Sequence, residues 1–155
     1  QLCMQAVEKY TQPGVQVIDV GCGSGILSIA AVKMGAAHAL AVDIDNAAVR
    51  STIENSTAND VLAQIEPGLG SVLEVTEGKF SITQAPLVLA NILAPVLIRL
   101  FDIGLAKLVA PGGLLVLSGI LEPQAADVVA AAEKQGLRFV EQLQMLDWVA
   151  IVMAS

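Results

Sequence analysis

The chain has 155 residues, 55% of them hydrophobic and only 15% charged, with a formal charge of −7. That length fits a single domain over residues 1–155 that can bury a core without disulfide or metal support, and the composition excludes disorder. The most apolar stretches, 85–98 and 108–121, are interrupted or bounded by Asn91, Pro95, Arg99, Lys107, Pro111 and Glu122, so neither offers the roughly 18 uninterrupted apolar residues of a membrane span.

Taken in chain order, a helical segment at Leu2–Tyr10 is followed by alternating strand-like and helix-like runs. Strands are expected at 15–20, 38–43, 87–91 and 114–119, and helices at 26–34, 47–58, 94–108 and 124–135. This repeated βα order is the signature of an α/β fold with a doubly wound, mostly parallel sheet. In the 94–108 helix, Leu97, Ile98, Phe101, Leu105 and Leu108 share one face, leaving Arg99, Asp102 and Lys107 to water. Asn46 is expected to cap the helix that follows Asp45, Pro111-Gly112-Gly113 to form a turn, Pro123 to open a helix and Gly136 to follow one. Between them, 61–66 is the candidate third strand and the remainder of 60–86 reads as loop. Two final strands, 137–146 and 148–153, bend at Asp147 and form an antiparallel C-terminal hairpin, with Trp148 packing on the edge strand.

The eight basic residues are scattered and aromatics are 3%, which argues against direct nucleic-acid binding. Cys3 and Cys22 form no Cys-x-x-Cys and there is one histidine, His38, so no metal site is indicated; a reducing, cytoplasmic setting fits. His38 reads as a surface residue and Met4, Met34, Met145 and Met153 as core.

Chemistry concentrates at the ends of the strands. Asp19-Val-Gly21-Cys-Gly23-Ser-Gly25 ends one strand and opens a helix, and glycines there let the backbone turn and approach a ligand closely. A dinucleotide fingerprint counted from Gly21 requires glycine at position 26, where Ile26 stands; counted from Gly23, the third slot holds Ser28. A nicotinamide-dependent oxidoreductase is therefore the weaker alternative. Asp43 ends the next strand, eighteen residues after Gly25, where a carboxylate can accept hydrogen bonds from ribose hydroxyls. Asp45 reads as helix N-terminal charge rather than a ligand. Asn91-Ile92-Leu93-Ala94 follows the fourth strand at the same sheet edge.

The Asp-x-Gly-x-Gly-x-Gly form resembles motif I of class I S-adenosylmethionine-dependent methyltransferases. Together with Val42-Asp-Ile-Asp, Gly78-Lys-Phe, Leu89-Ala-Asn-Ile-Leu-Ala, Ala110-Pro-Gly-Gly, Leu117-Ser-Gly-Ile-Leu and Asp147-Trp-Val-Ala, it is similar over nearly the whole chain to the catalytic domain of the bacterial ribosomal protein L11 methyltransferase family. The resemblance implies S-adenosyl-L-methionine as cofactor, held by Asp19, Gly21, Gly23, Asp43, Ile44 and Asn91, with Ile44 against the adenine. It implies methylation of lysine and N-terminal amines of a large-subunit ribosomal protein. The Asn91 side chain and the Leu93 carbonyl would aim the amine, as in the Asn-Pro-Pro-Tyr motif of other amino-group methyltransferases. Family members place a substrate-recognition domain and a glycine-rich Thr-Thr segment ahead of this region. The chain is accordingly expected to be the cofactor platform of a longer protein, and a cofactor-binding domain inactive in isolation is the non-catalytic alternative. Ser71 falls near the adenine position, and the Ser81-Ile-Thr-Gln-Ala-Pro stretch departs from the family pattern.

Overall fold

The computed structural model describes all 155 residues. Seven strands form one sheet: β1 (Gln16–Val20), β2 (His38–Asp43), β3 (Ile65–Leu69), β4 (Ala85–Asn91), β5 (Val109–Leu121), β6 (Arg138–Met145) and β7 (Trp148–Ala154), in the order β3-β2-β1-β4-β5-β7-β6. The first five run parallel, and β7 pairs antiparallel with both β5 and β6. The doubly wound sheet and C-terminal hairpin expected from the sequence are both present.

Period-two alternation divides the strands between two cores. Ile18, Val20, Leu40, Val42, Val88 and Ala90 face α4 (Val72–Thr76), α5 (Ala94–Asp102) and α6 (Ala125–Lys134). Val17, Ala39, Ala41, Leu87 and Leu89 face α1 (Leu2–Tyr10) and α2 (Ile26–Lys33), with α3 (Asn46–Ala58) alongside. Strands buried on both faces read as continuous apolar runs, which is why they were legible in the sequence. No helix is long and apolar enough to cross a membrane.

Several local expectations are corrected. The third strand starts at Ile65, because Leu62–Gln64 is a single 3₁₀ turn. It contains Pro67 and Gly68, which an edge strand tolerates because one side of its ladder is unpaired. Gly68 also has a packing reason: a Cβ there would lie 2.3 Å from the Phe80 ring. The segment assigned as loop holds α4, whose start is fixed by the Ser71 N–H donating to Glu74 Oε2 at 2.7 Å. The 94–108 helix ends at Asp102; Gly104 takes a left-handed conformation (φ +109°) and Leu105–Leu108 continue as a 3₁₀ turn. Leu97, Phe101, Leu105 and Leu108 are nevertheless all buried, as their spacing required.

Asp45, not Asn46, caps α3, its carboxylate accepting the Ala47 N–H at 2.9 Å. Pro111-Gly112-Gly113 is a bulge within β5 rather than a turn between elements, since Ala85 pairs with Val109 but Leu87 with Leu114. Ser155 pins it, its hydroxyl accepting from the Gly112 N–H and donating to the Ala110 carbonyl. The sheet edge is β6, so β7 is interior; Trp148 at its start pairs with Met145 of that edge strand and is 47% exposed. Met153 is buried, but Met34 and Met145 are exposed.

Candidate functional site

β1 pairs with β2 on one side and β4 on the other, so successive crossovers leave it in opposite directions. Such a reversal opens a crevice beyond the carboxyl ends of the strands, where ligands collect in open α/β sheets. A cavity of about 620 Å³ lies there, walled by Val20 and Gly21 after β1, Asp43 and Ile44 after β2, Gly70 and Ser71 after β3, Asn91 to Leu93 after β4, and Gly119 and Trp148 from β5 and β7.

The glycine loop is held from both sides. The Gly21 and Cys22 N–H groups donate to the Val42 carbonyl at 2.8 and 3.0 Å. From α3, Thr52 donates its hydroxyl to the Gly23 carbonyl at 3.1 Å, and Asn55 its amide to the Ser24 carbonyl at 2.9 Å. Gly21 is required by both conformation and space, at φ +70° with a notional Cβ 2.7 Å from Ile92 Cδ1. Cys22 is buried beside Thr52, and burial pushes its thiol up to about 12, which removes it as a nucleophile.

Asp43 is fixed by the backbone. Its Oδ2 accepts the Gly23 N–H and its Oδ1 the Asp45 N–H, each at 3.0 Å. A carboxylate oxygen has two lone-pair directions, so each retains one for a ligand hydroxyl. Ile44, beside it, is 79% exposed and presents a bare apolar face to the cavity.

Asn91 is exposed and does not cap α5: the N-cap is Leu93, with no side-chain cap. Its amide is left for the cavity. Gly119 sits directly against it, for a Cβ there would be 3.2 Å from Asn91 Oδ1 and 3.0 Å from the Ile92 carbonyl oxygen. The expected role of the Leu93 carbonyl is corrected, because that oxygen already accepts the Val96 and Leu97 N–H groups at 2.9 and 3.1 Å as α5 begins. The carbonyl beside Asn91 Oδ1 is that of Ile92. Leu93 keeps a place on the wall through its exposed side chain.

The structure thus brings Gly21, Asp43, Ile44, Asn91 and Leu93 together around one cavity; Gly23 is outside its lining but donates its N–H to Asp43 Oδ2, and Asp19 is buried beneath the loop. Asp19 is 1% exposed; its Oδ2 accepts the Ser28 hydroxyl at 2.7 Å and its Oδ1 has no partner. Burial, reinforced by the Asp43 charge and opposed by Ser28, raises its carboxyl to about 6. Ser71, expected near the adenine, does line the cavity. His38, at the opposite end of β2, meets Ser81 and Glu66 instead. Sequence reasoning missed Gly119, Thr52 and Trp148. A single glycine inside a strand pattern signals a close backbone approach and could have exposed the first; a threonine within a helical run and a tryptophan after a turn carried no such signal.

The family model described as ribosomal protein L11 methyltransferase matches residues 1–155. The ribosomal protein L11 methyltransferase of Brevibacillus brevis is 44% identical over 151 residues, 97% of this chain and 46% of that protein. That of Pelotomaculum thermopropionicum is 43% identical over 150 residues, covering 97% and 47%. The chain spans about half the length of these curated relatives. Among solved structures, the ribosomal protein L11 methylase of Lactobacillus delbrueckii subsp. bulgaricus superposes with a TM-score of 0.87 at 30% identity, covering 98% of this chain and 75% of that one. An RNA methyltransferase of Salinibacter ruber, solved in complex with S-adenosyl-L-homocysteine, shares the fold with a TM-score of 0.74 at 18% identity over 97% of this chain and 88% of that one. With the family match extending from the first residue to the last, the chain belongs to the ribosomal protein L11 methyltransferase family.

Proposed function

We infer that this chain is the S-adenosylmethionine-binding catalytic domain of a protein N-methyltransferase whose substrates are the lysine and N-terminal amines of ribosomal protein L11. The observation that carries the reading is the union, on one cavity wall, of a backbone-fixed carboxylate at Asp43 and an uncommitted amide at Asn91. The residues fit the cofactor. Asp43 retains acceptor capacity for ribose hydroxyls, Ile44 offers an apolar face to adenine, and the closely packed Gly21 lets the loop run beneath without a side chain. Asp19, buried under the loop, and Gly23, whose N–H holds the Asp43 carboxylate, act without lining the cavity.

The bound cofactor supplies an electrophilic sulfonium methyl group. This chain's residues have then to aim an amine lone pair and lower its hydration. Asn91 Oδ1 and the Ile92 carbonyl are two acceptors close to one point, marked by the notional Cβ of Gly119, and accepting two amine hydrogens directs the lone pair away from both. Away from Asp43, whose carboxylate belongs to the ribose end, the lining is mainly apolar, with Ile92, Leu93, Val96 and Leu100 near Asn91's end of the cavity. Such surroundings favour the neutral amine over the ammonium. A strong protein base is not required for that.

A dinucleotide fits less well: Ile26, where the fingerprint needs glycine, projects a side chain 59% exposed at the start of α2. In the full-length protein, Asn91→Ala should leave the dissociation constant for S-adenosylhomocysteine near normal and reduce methylation of L11 about a hundredfold. Calorimetry and a tritiated-methyl assay measure the two. Full retained turnover would remove Asn91 from the mechanism.

A further inference from the structure

The three glycines of the loop are held in different ways. A Cβ at Gly21 would lie 2.7 Å from Ile92 Cδ1 and one at Gly25 2.8 Å from Thr52 Cγ2, so both are closely packed. Around the corresponding point of Gly23 nothing lies within 4 Å, although its φ is +55°. A glycine in that conformation with no neighbour against it turns about both backbone bonds unless hydrogen bonds hold it. Gly23 has two. Its N–H donates to Asp43 Oδ2 at 3.0 Å, and its carbonyl accepts the Thr52 hydroxyl at 3.1 Å. Thr52 stands in the middle of α3, fully buried and outside the cavity lining.

We propose that Thr52 is a positioning residue for the ribose end of the site: its hydroxyl holds Gly23 so that the Gly23 N–H fixes the Asp43 carboxylate in the orientation that receives ribose hydroxyls. The proposal rests on the cofactor reading of the cavity. A threonine hydroxyl has one hydrogen. Given to the Gly23 carbonyl, it leaves the oxygen to accept from the Cys22 thiol, whose Sγ is 3.4 Å away and which burial keeps protonated. Without the hydroxyl the Gly23 carbonyl loses its partner on α3, the residue turns, and its N–H leaves Asp43 Oδ2. Oδ1 stays with the Asp45 N–H, so the carboxylate is left hinged on one oxygen rather than released. Asn55 still holds the next carbonyl, that of Ser24, at 2.9 Å, which keeps the rest of the loop on its course. The Thr52 methyl has a separate task, filling the space against Gly25. Hydroxyl and methyl can therefore be removed one at a time.

Competition calorimetry on the full-length protein, with S-adenosylhomocysteine as the reference ligand, compares 5′-deoxy-5′-methylthioadenosine with its 2′,3′-dideoxy analogue. Thr52→Val keeps the shape of the side chain and drops the hydroxyl, Thr52→Ser keeps the hydroxyl and drops the methyl, and Thr52→Ala repeats the loss of the hydroxyl should the valine methyl crowd the carbonyl. The two hydroxyl-free variants are expected to bind the ribose ligand about tenfold more weakly and the dideoxy ligand within about twofold of the parent, while Thr52→Ser stays within about twofold for both. A threonine that merely packs α3 against the loop would weaken both ligands alike. Equal losses for the two nucleosides, no loss in the hydroxyl-free variants, or a loss in Thr52→Ser as large as theirs would overturn the assignment of Thr52 and leave the cofactor reading intact. A parent protein that binds no S-adenosylhomocysteine would overturn that reading and this one together.

Discussion

Asp19 shows how a motif residue can act without touching the cavity. Its carboxyl is sealed under the glycine loop, one oxygen bonded to Ser28 and the other without a partner. Burial raises it from the ordinary 3.8 to about 6, so the folded chain keeps this proton to higher pH than the unfolded chain does. Stability from this group is therefore full below about pH 4 and falls as pH rises toward 6, by about 3 kcal/mol for a shift of this size. Replacing Asp19 by Asn removes the titration. Denaturant unfolding at pH 3 and pH 7 should show the variant gaining about 3 kcal/mol on the parent chain between the two, and a pH-independent difference would show that the Asp19 carboxyl is not shifted by folding. The adjacent Cys22 is inert for the same physical reason, desolvation disfavouring its charged form.

At the scale of elements, the site is built where strands stop and helices start. Asp45 is the clearest case, because one residue serves two ends: its carboxylate caps α3, and its backbone N–H holds Asp43 Oδ1. Asp45→Ala removes the first contact and keeps the second. It should cost about 1 kcal/mol in urea unfolding and leave the affinity for S-adenosylhomocysteine unchanged; a matching loss of affinity would make the Asp45 carboxylate part of the binding site. α3 contributes again from its middle, where Thr52 and Asn55 grip two loop carbonyls. Leu93 illustrates the opposite constraint, its carbonyl being taken by the first turn of α5, so the acceptor beside Asn91 becomes Ile92. Counting positions in a tetrapeptide does not reveal that, because it depends on which residue starts the helix.

Across the whole molecule, the strand order sets one crevice at the reversal beside β1, and Gly21, Asp43, Ile44, Asn91 and Leu93 stand on its rim. A ligand bound there stabilises the fold by mass action. S-adenosylhomocysteine at 100 times its dissociation constant should add about 2.7 kcal/mol, raising the melting temperature by several degrees in a chain of this size. Nicotinamide dinucleotides should leave it unchanged. A thermal shift assay reads both, and a shift with a dinucleotide alone would reverse the choice of cofactor.

The sheet and helix alternation, the glycine loop and the candidates Asp43 and Asn91 were legible along the chain, because each is written in local chemistry: apolar runs for strands buried on two faces, glycines for a tight turn, a polar residue where a strand ends. The region 60–86 was illegible for an equally local reason, as Pro67 and Gly68 imitate loop and are admitted only because β3 is an edge strand with Phe80 lying on it. Contacts across the sheet were needed to show that Asp19 is sealed under the loop, that the Leu93 carbonyl is taken by the first turn of α5 while that of Ile92 is not, and that Gly119 and Trp148 line the cavity. Those residues lie up to more than a hundred positions from the glycine loop, and their roles follow from contacts between strands that meet at one crevice. Periodicity and spacing act along the chain, whereas the walls of a cavity are set by which chain ends the sheet brings side by side.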